Sequence, residues 1–186
     1  MNKKNVISIS GDLASGKGTV SELLIEKLNY GIYRNGEYFR KLAKDYNMTL
    51  QEFGEYVSTH PEIDIEIEES AKNHAENHDN FIIDARLGWY AVPESFKVYL
   101  KVDINEAAKR AFNDQKRKDL ESFNSVEEHK QALVERTKVE NARYLKLYGV
   151  DRSDMTNYDL VIDTTEKTPI EVVDIIIDEY EKWRKL

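Results

Sequence analysis

The stretch Gly11-Asp12-Leu13-Ala14-Ser15-Gly16-Lys17-Gly18-Thr19 narrows the folds open to this chain more than any other. It follows a β-branched apolar run, Val6-Ile7-Ser8-Ile9-Ser10, and leads into an amphipathic stretch from Thr19 to Leu28 with apolar Val20, Leu23, Leu24, Ile25 and Leu28. Strand, glycine-rich loop and helix thus come in the order that a phosphate cradle needs. Gly11 and Gly16 are expected to adopt conformations closed to residues with a Cβ, turning successive N–H groups toward an anion. The helix adds the positive end of its dipole, and Lys17 reaches β- and γ-phosphates as a point charge. The spacing is G-x-x-x-x-G-K, with Gly18 where a hydroxyl usually touches Mg²⁺ and Thr19 one place later. All nine residues are therefore expected to bind a nucleotide's phosphates, and the motif leaves the reaction open.

A chain of 186 residues suits one domain, residues 1–186, that buries roughly 70% of the surface of its unfolded form. The absence of cysteine excludes disulfides, thiolate metal sites and a catalytic thiol. The basic start Met1-Asn2-Lys3-Lys4 precedes only five apolar-run residues, too few for a signal sequence or a membrane span, so a cytoplasmic protein without a membrane partner is expected. With 35 acidic against 27 basic residues the net charge is −8, which argues against nucleic acid as a partner. A small phosphorylated ligand held by a local arginine cluster remains compatible with that charge, and a monomer is expected.

Along the chain, Tyr30-Gly31-Ile32-Tyr33-Arg34 predicts a second strand, and Asn35-Gly36 a turn with Asn35 capping a helix through Tyr38, Phe39, Leu42 and Ala43. Thr49-Leu50-Gln51-Glu52 is a capping box that opens another helix. From Pro61 the alternation of Ile63, Ile65 and Ile67 with acids favours a strand. Pro61 as a helix opener and the Glu-, Ala- and Lys-rich continuation to His78 favour a helix, which is the prediction. His74 and His78 lack a third ligand nearby and are expected on a solvated face.

Phe81-Ile82-Ile83-Asp84-Ala85-Arg86 predicts a buried strand ending in a carboxylate and an arginine. Ligands of open parallel sheets lie beyond the carboxyl ends of the strands, so Asp84 and Arg86 are expected beside the glycine-rich loop. Asp84 and Thr19 are the candidates to hold Mg²⁺, directly or through water. A fourth strand is expected over Phe96–Val102, then a helix from Glu106 capped by Asp103 or Asn105. Arg110 and Arg117 are seven apart on it, with Lys116 and Lys118 beside Arg117 on a solvated face. The capping box Ser125-Val126-Glu127-Glu128 starts a long helix to about Tyr148 that carries Arg136 and Arg143. The two helices, meeting near residues 118 to 125, would make a mobile arm that points arginines back at phosphates and excludes water. Asp159–Asp163 predicts the fifth strand. Thr168-Pro169-Ile170-Glu171 opens a last helix expected to bury Ile170, Val173, Ile177 and Tyr180. The order of elements predicts a three-layer α/β fold with a five-stranded, mainly parallel sheet.

Taken together, several stretches resemble the nucleoside monophosphate kinases, most closely the archaeal-type cytidylate kinases. They are the G-x-x-x-x-G-K-G-T loop, Arg40 in Tyr38-Phe39-Arg40, Arg86-Leu87-Gly88-Trp89, Arg143-Tyr144 with Tyr148-Gly149-Val150-Asp151, and Tyr158 to Thr164. The likeness spans residues 6 to 177. It implies a P-loop NTPase fold with a mononucleotide-binding helical insert at about 36–79 and a helical lid at about 110–136. It also implies transfer of the ATP γ-phosphoryl group to CMP or dCMP with Mg²⁺. Lys17 with the loop would hold the donor, Arg40 and Arg86 the acceptor phosphate, and Arg110, Arg117, Arg136 and Arg143 would supply lid charge. Asp64 falls in the insert and is a candidate contact to base or ribose; a solvated acid among Glu62, Glu66, Glu68 and Glu69 is the alternative. Two departures stand out: Asp84-Ala85 where Glu-Gly is expected, and Asn113-Asp114-Gln115 where such proteins often carry another arginine. Other readings are a kinase of AMP, UMP or a small metabolite, and a non-catalytic nucleotide-binding regulator. A GTPase switch is disfavoured, since Asp84 to Gly88 is one residue too long for D-x-x-G and no N-K-x-D follows a strand.

Overall fold

Five short strands rich in β-branched and aromatic residues pair in parallel in the order β2-β3-β1-β4-β5. They are β1 (Val6–Gly11), β2 (Gly31–Arg34), β3 (Phe81–Asp84), β4 (Phe96–Lys101) and β5 (Leu160–Asp163). The computed structural model describes residues 4–114 and 123–186; Arg117, with Lys116 and Lys118, lies outside the described residues. Every residue of β1 is buried, as a central parallel strand covered on both faces requires. The register sets Ile9 opposite Asp84, Arg34 opposite Asp84 and Gly11 opposite Leu100. Loop, arginine and carboxylate thus leave the sheet at one edge, its carboxyl end.

Helices cover both faces. On one, α1 (Lys17–Leu28) and the carboxyl-terminal helix α8 (Pro169–Lys185) pack Leu24, Val173, Ile176 and Tyr180 on Ile7, Ile9 and Val98. On the other, the short α5 (Gly88–Ala91) and neighbouring segments bring Trp89, Tyr144 and Tyr158 onto Tyr99. Each large aliphatic side chain so buried contributes about 1.5–3 kcal/mol relative to exposure.

Between β2 and β3 stand three helices, α2 (Asn35–Asp45), α3 (Leu50–Thr59) and α4 (Pro61–Asn77), joined by a small core of Leu42, Ala43, Phe53, Val57, Ile63 and Ile67. Helix α4 settles the ambiguous alternation. Ile63 and Ile67, four apart, are buried while Ile65 between them is 40% exposed. Pro61 occupies the first turn, where its missing N–H costs nothing. His78 is exposed as expected, but His74 is half-buried: its ring lies 4.9 Å from both Tyr33 and Phe81 and stacks on His78. Among the described residues no group of three or more metal-binding side chains forms.

Beyond β4, α6 (Ile104–Asn113) packs against α7 (Val126–Tyr148) through Ala107, Ala108, Ala111 and Leu133. A three-residue turn, Met155–Asn157, precedes β5.

The caps at Thr49 and Thr168 form as full boxes. At Ser125 only half forms: its hydroxyl accepts from Glu128 N, but the Glu128 carboxylate accepts from Asn124 N instead. Helix α6 opens two residues before Glu106 because Asp103 accepts from the N–H groups of both Asn105 and Glu106. Asn35 is no cap; α2 begins on it, after an extended Arg34. Helix α8 buries Val172 and Ile176 with Val173 and Tyr180, while Ile170 is 58% exposed and Ile177 only partly covered. The buried stripe is therefore rotated from the one expected. Among the described residues no helix is long and apolar enough to cross a membrane.

Candidate active site

The loop after β1 is shaped by two different constraints. Gly16 holds φ at +88°, and Ala14, two residues before it, is also left-handed at +61°. Gly11 is required by close approach and not by backbone conformation, since a Cβ there would stand 2.6 Å from Leu100 O and 2.9 Å from Ser15 Oγ. Helix α1 starts at Lys17, so Gly18 and Thr19 lie exposed in its first turn. That turn carries no acidic side chain and no side-chain cap, leaving its N–H groups open to an anion.

The loop is tied down from behind. The Asp12 carboxylate accepts from Tyr99 Oη at 2.6 Å and from Val102 N at 3.0 Å, so its side chain binds β4 and only its position lines the cavity. Thr164 Oγ1 donates to Ser15 O at 3.1 Å. Arg152, 1% exposed, donates to Gly11 O at 3.4 Å and to Asn141 Oδ1 at 3.1 Å.

Two cavities open on this edge. One, of about 620 Å³, is lined by residues 12–20 with Arg110, Thr164, Lys167 and Pro169. The other, of about 860 Å³, lies between α2, α4 and α7 and is lined by Arg34, Arg40, Asp64, Glu68, Arg136 and Arg143, among others. Lys17 and Arg86 line both, and Asp84 lines the second.

Charge is dense at the junction. Lys17 pairs with Asp84. Burial, then the guanidinium groups of Arg86 and Arg152, push the Lys17 ammonium well below its ordinary pKa. Glu140 on α7 accepts from Arg86 Nε at 2.9 Å and from Arg136 Nε at 3.0 Å, and stands 4.0 Å from Arg152 Nη1. Burial pushes the Glu140 carboxyl up, but Arg86, Arg136 and Arg152 together hold it below its usual range. Several cations with one shared carboxylate between them form a ready receptor for phosphates.

The predicted residues divide between the two cavities. Arg110 faces the loop cavity, with Nη2 donating at 2.8 Å to both Thr164 O and Thr165 O. Arg136 and Arg143 face the helical cavity with Arg40 and Asp64. Arg110, Arg136 and Arg143 thus do not converge as one group. Asp64 is no solvated acid: it is 5% exposed and its Oδ2 stands 3.3 Å from Arg143 Nε. Thr19 lies in the first turn of α1 and Asp84 beside Lys17. These are hard oxygen donors, too few to enclose a cation, which suits Mg²⁺ held mainly by phosphates and water. Sequence reasoning missed Glu140, Arg152, Arg34, Asn35 and Glu68. Glu140 sits four after Arg136 and three before Arg143, and Glu68 four after Asp64, so helical spacing held a signal for both. Nothing in the sequence marks Arg152.

Comparisons with known proteins agree with this geometry. A cytidylate kinase of Thermoplasma volcanium is 35% identical over 184 residues, covering 96% of this chain and 93% of its own. An S-adenosylmethionine-dependent nucleotide dehydratase of Lacinutrix mariniflava is also 35% identical, over 180 residues, but this chain spans only 36% of it. Among solved structures, a shikimate kinase from Bacteroides thetaiotaomicron superposes with a TM-score of 0.64 at 14% identity, covering 97% of this chain and 98% of its own, which shows a shared fold. Residues 6–166 match the model of the cytidylate kinase-like family, and the chain belongs to that family of phosphotransferases.

Proposed function

We propose that the chain transfers the γ-phosphoryl group of ATP to CMP or dCMP, forming ADP and CDP or dCDP. The observation that carries this reading is the meeting of two cavities at Lys17 and Arg86, one on a phosphate loop and one among helices lined with arginines. A phosphoryl group between them would be shared by both cations.

The acceptor phosphate has a second pKa of about 6 and is already a nucleophile at neutral pH, so no general base is needed. The protein's work is to align two anions and to spread charge on the transferring group. Residues 11–19 cradle the donor phosphates and Lys17 bridges β and γ. Arg40 and Arg86 hold the acceptor phosphate. Residues 36–79, which hold α3, α4 and all but the first residue of α2, form the mononucleotide insert, and residues 110–136 the lid. Of the lid arginines, Arg110 serves the donor side, and Arg136 and Arg143 serve the acceptor side. Glu140 keeps Arg86 and Arg136 in place until phosphates arrive. Thr19 and Asp84 would hold Mg²⁺, which neutralises charge on the donor phosphates.

The test is ADP and nucleoside diphosphate formation from MgATP with CMP, dCMP, UMP, AMP, GMP or shikimate offered one at a time, beside a no-acceptor control. Turnover on CMP or dCMP above the others supports the reading. Turnover on another acceptor keeps the phosphotransferase and replaces its substrate, and ATP binding without turnover on any acceptor points to a nucleotide-binding regulator.

A further inference from the structure

Buried polar atoms without a hydrogen-bond partner collect at one place in the helical cavity. Glu68 is 7% exposed with Oε2 unpartnered, and Asn35 Oδ1 and Tyr148 Oη also lack hydrogen bonds; Asp64 Oδ2 and Arg143 Nε beside them meet as an ion pair at 3.3 Å without a hydrogen bond. Except for Tyr148, all of these residues line the cavity. Buried polar groups in native folds are paired with few exceptions, and such a cluster at a cavity wall is the imprint of a ligand that completes it.

The groups have a definite polarity. Asn35 and Glu68 share the cavity wall, and both Glu68 Oε2 and Asn35 Oδ1 are buried without a hydrogen-bond partner. Two buried acceptor oxygens with no donor to satisfy them make Oε2 the place for a proton. Resting on the reading above, we propose that Glu68, as the neutral acid and together with Asn35, selects an acceptor base that sets an amino group beside a ring nitrogen lone pair. The acid proton is donated to the ring nitrogen, and the acid's other oxygen and Asn35 Oδ1 accept from the amino group. Cytosine presents that edge at N3 and N4. Uracil presents the reverse, a carbonyl oxygen beside N–H, and its carbonyl would face Asn35 Oδ1.

The surroundings favour the neutral acid. Burial and then the Asp64 carboxylate raise Glu68 to about 7, while Asn35 and Arg143 oppose the shift. Asp64 is raised by burial against Arg143. Tyr144, held up to about 12 by burial and by Glu68, and Tyr148 on α7 face the same acids, and Tyr33 on β2 lies near enough to be raised by Glu68. Arg143 is the nearest cation from α7 and already engages Asp64.

The experiment is equilibrium binding of CMP and of UMP between pH 6 and 8.5, for the wild-type chain and for Glu68→Gln, by calorimetry without ATP. Taking the ratio of the two Kd values cancels the phosphate titration common to both nucleotides. For the wild type, preference for CMP should fall at least tenfold from pH 6 to 8.5, as an ionised Glu68 repels N3 and welcomes a uracil N3–H. E68Q, a neutral isostere, should bind CMP at pH 8.5 more tightly than the wild type does, with a ratio independent of pH. A wild-type ratio that stays flat, or E68Q that binds CMP tenfold worse at pH 6, overturns the proposal. Phosphorylation of CMP with a flat ratio would sink Glu68 and keep the kinase. A pH-dependent preference without phosphoryl transfer would do the reverse. No binding of either nucleotide at any pH would remove both.

Discussion

Replacing Glu140 by Gln tests the charge hub at the junction of the cavities. Its carboxylate accepts from Arg86 at 2.9 Å and Arg136 at 3.0 Å and lies 4.0 Å from an Arg152 that is 1% exposed. The Arg136 side chain is 49% exposed, so that pair contributes at most about 0.5 kcal/mol. Arg86 and Glu140 are 20% and 12% exposed, and Arg152 cannot reach water. Removing one partner of a buried pair costs about 3–5 kcal/mol. Glutamine keeps an acceptor oxygen and the site is not wholly dry, so a loss of about 2–3 kcal/mol follows, or roughly 4–12 °C in Tm for a chain of this size. Urea denaturation at pH 7 reads it. The sign with pH is fixed: the folded carboxyl lies below its unfolded value, so its contribution is full above the unfolded pKa and vanishes as pH falls through the folded one. The gap between wild type and E140Q should therefore close below about pH 4. ATP and CMP together should recover part of the loss, because phosphates replace the missing carboxylate. E140Q within about 0.5 kcal/mol of the wild type at pH 7 would refute the hub.

Lys17→Met should lower kcat/KM for ATP by about 10² or more, measured by coupled ADP release, since it removes one of the two cations that both cavities share. Arg40 is exposed and lines only the helical cavity, whereas Arg86 lines both. R40A should thus raise the acceptor KM with little change in kcat, and R86K should lower kcat about 10²-fold; the opposite split in steady-state kinetics contradicts the roles. The raised Glu68 carboxyl binds its proton more tightly folded than unfolded, so stability should fall as pH rises from about 4.5 to about 7. E68Q should remove that slope and be more stable than the wild type at pH 8 by on the order of 2 kcal/mol in urea titrations; equal stability there would contradict it.

The elements with strong local signals were legible from the residues alone. The strand–loop–helix at Val6 to Leu28, the boxes at Thr49 and Thr168 and the strand ending at Asp84 depend on neighbours close in sequence. The alternation of Ile63, Ile65 and Ile67 was legible only because Pro61 and the later composition outweighed it. What escaped depends on contacts far apart in the chain. Asn35 had the residue type of a cap, but it opens α2 and lines the helical cavity with Glu68 of another helix. Glu68 looks like its exposed acidic neighbours until α2 and α7 close over it. Arg152 is an ordinary loop arginine in sequence and is buried only because Gly11, Asn141 and Glu140 surround it. The arginines at 110, 136 and 143 were read as one group, and the packing of α6 on α7 instead sends them to different cavities.

The most direct test of the account is binding of a bisubstrate analogue, adenosine and cytidine joined through five phosphates, measured by calorimetry against ATP and CMP separately. If the two cavities are donor and acceptor sites joined at Lys17 and Arg86, one analogue binds per chain, about 10²–10⁴-fold tighter than the better single nucleotide. Two analogues per chain, or one bound no more tightly than ATP, would contradict a shared phosphoryl position.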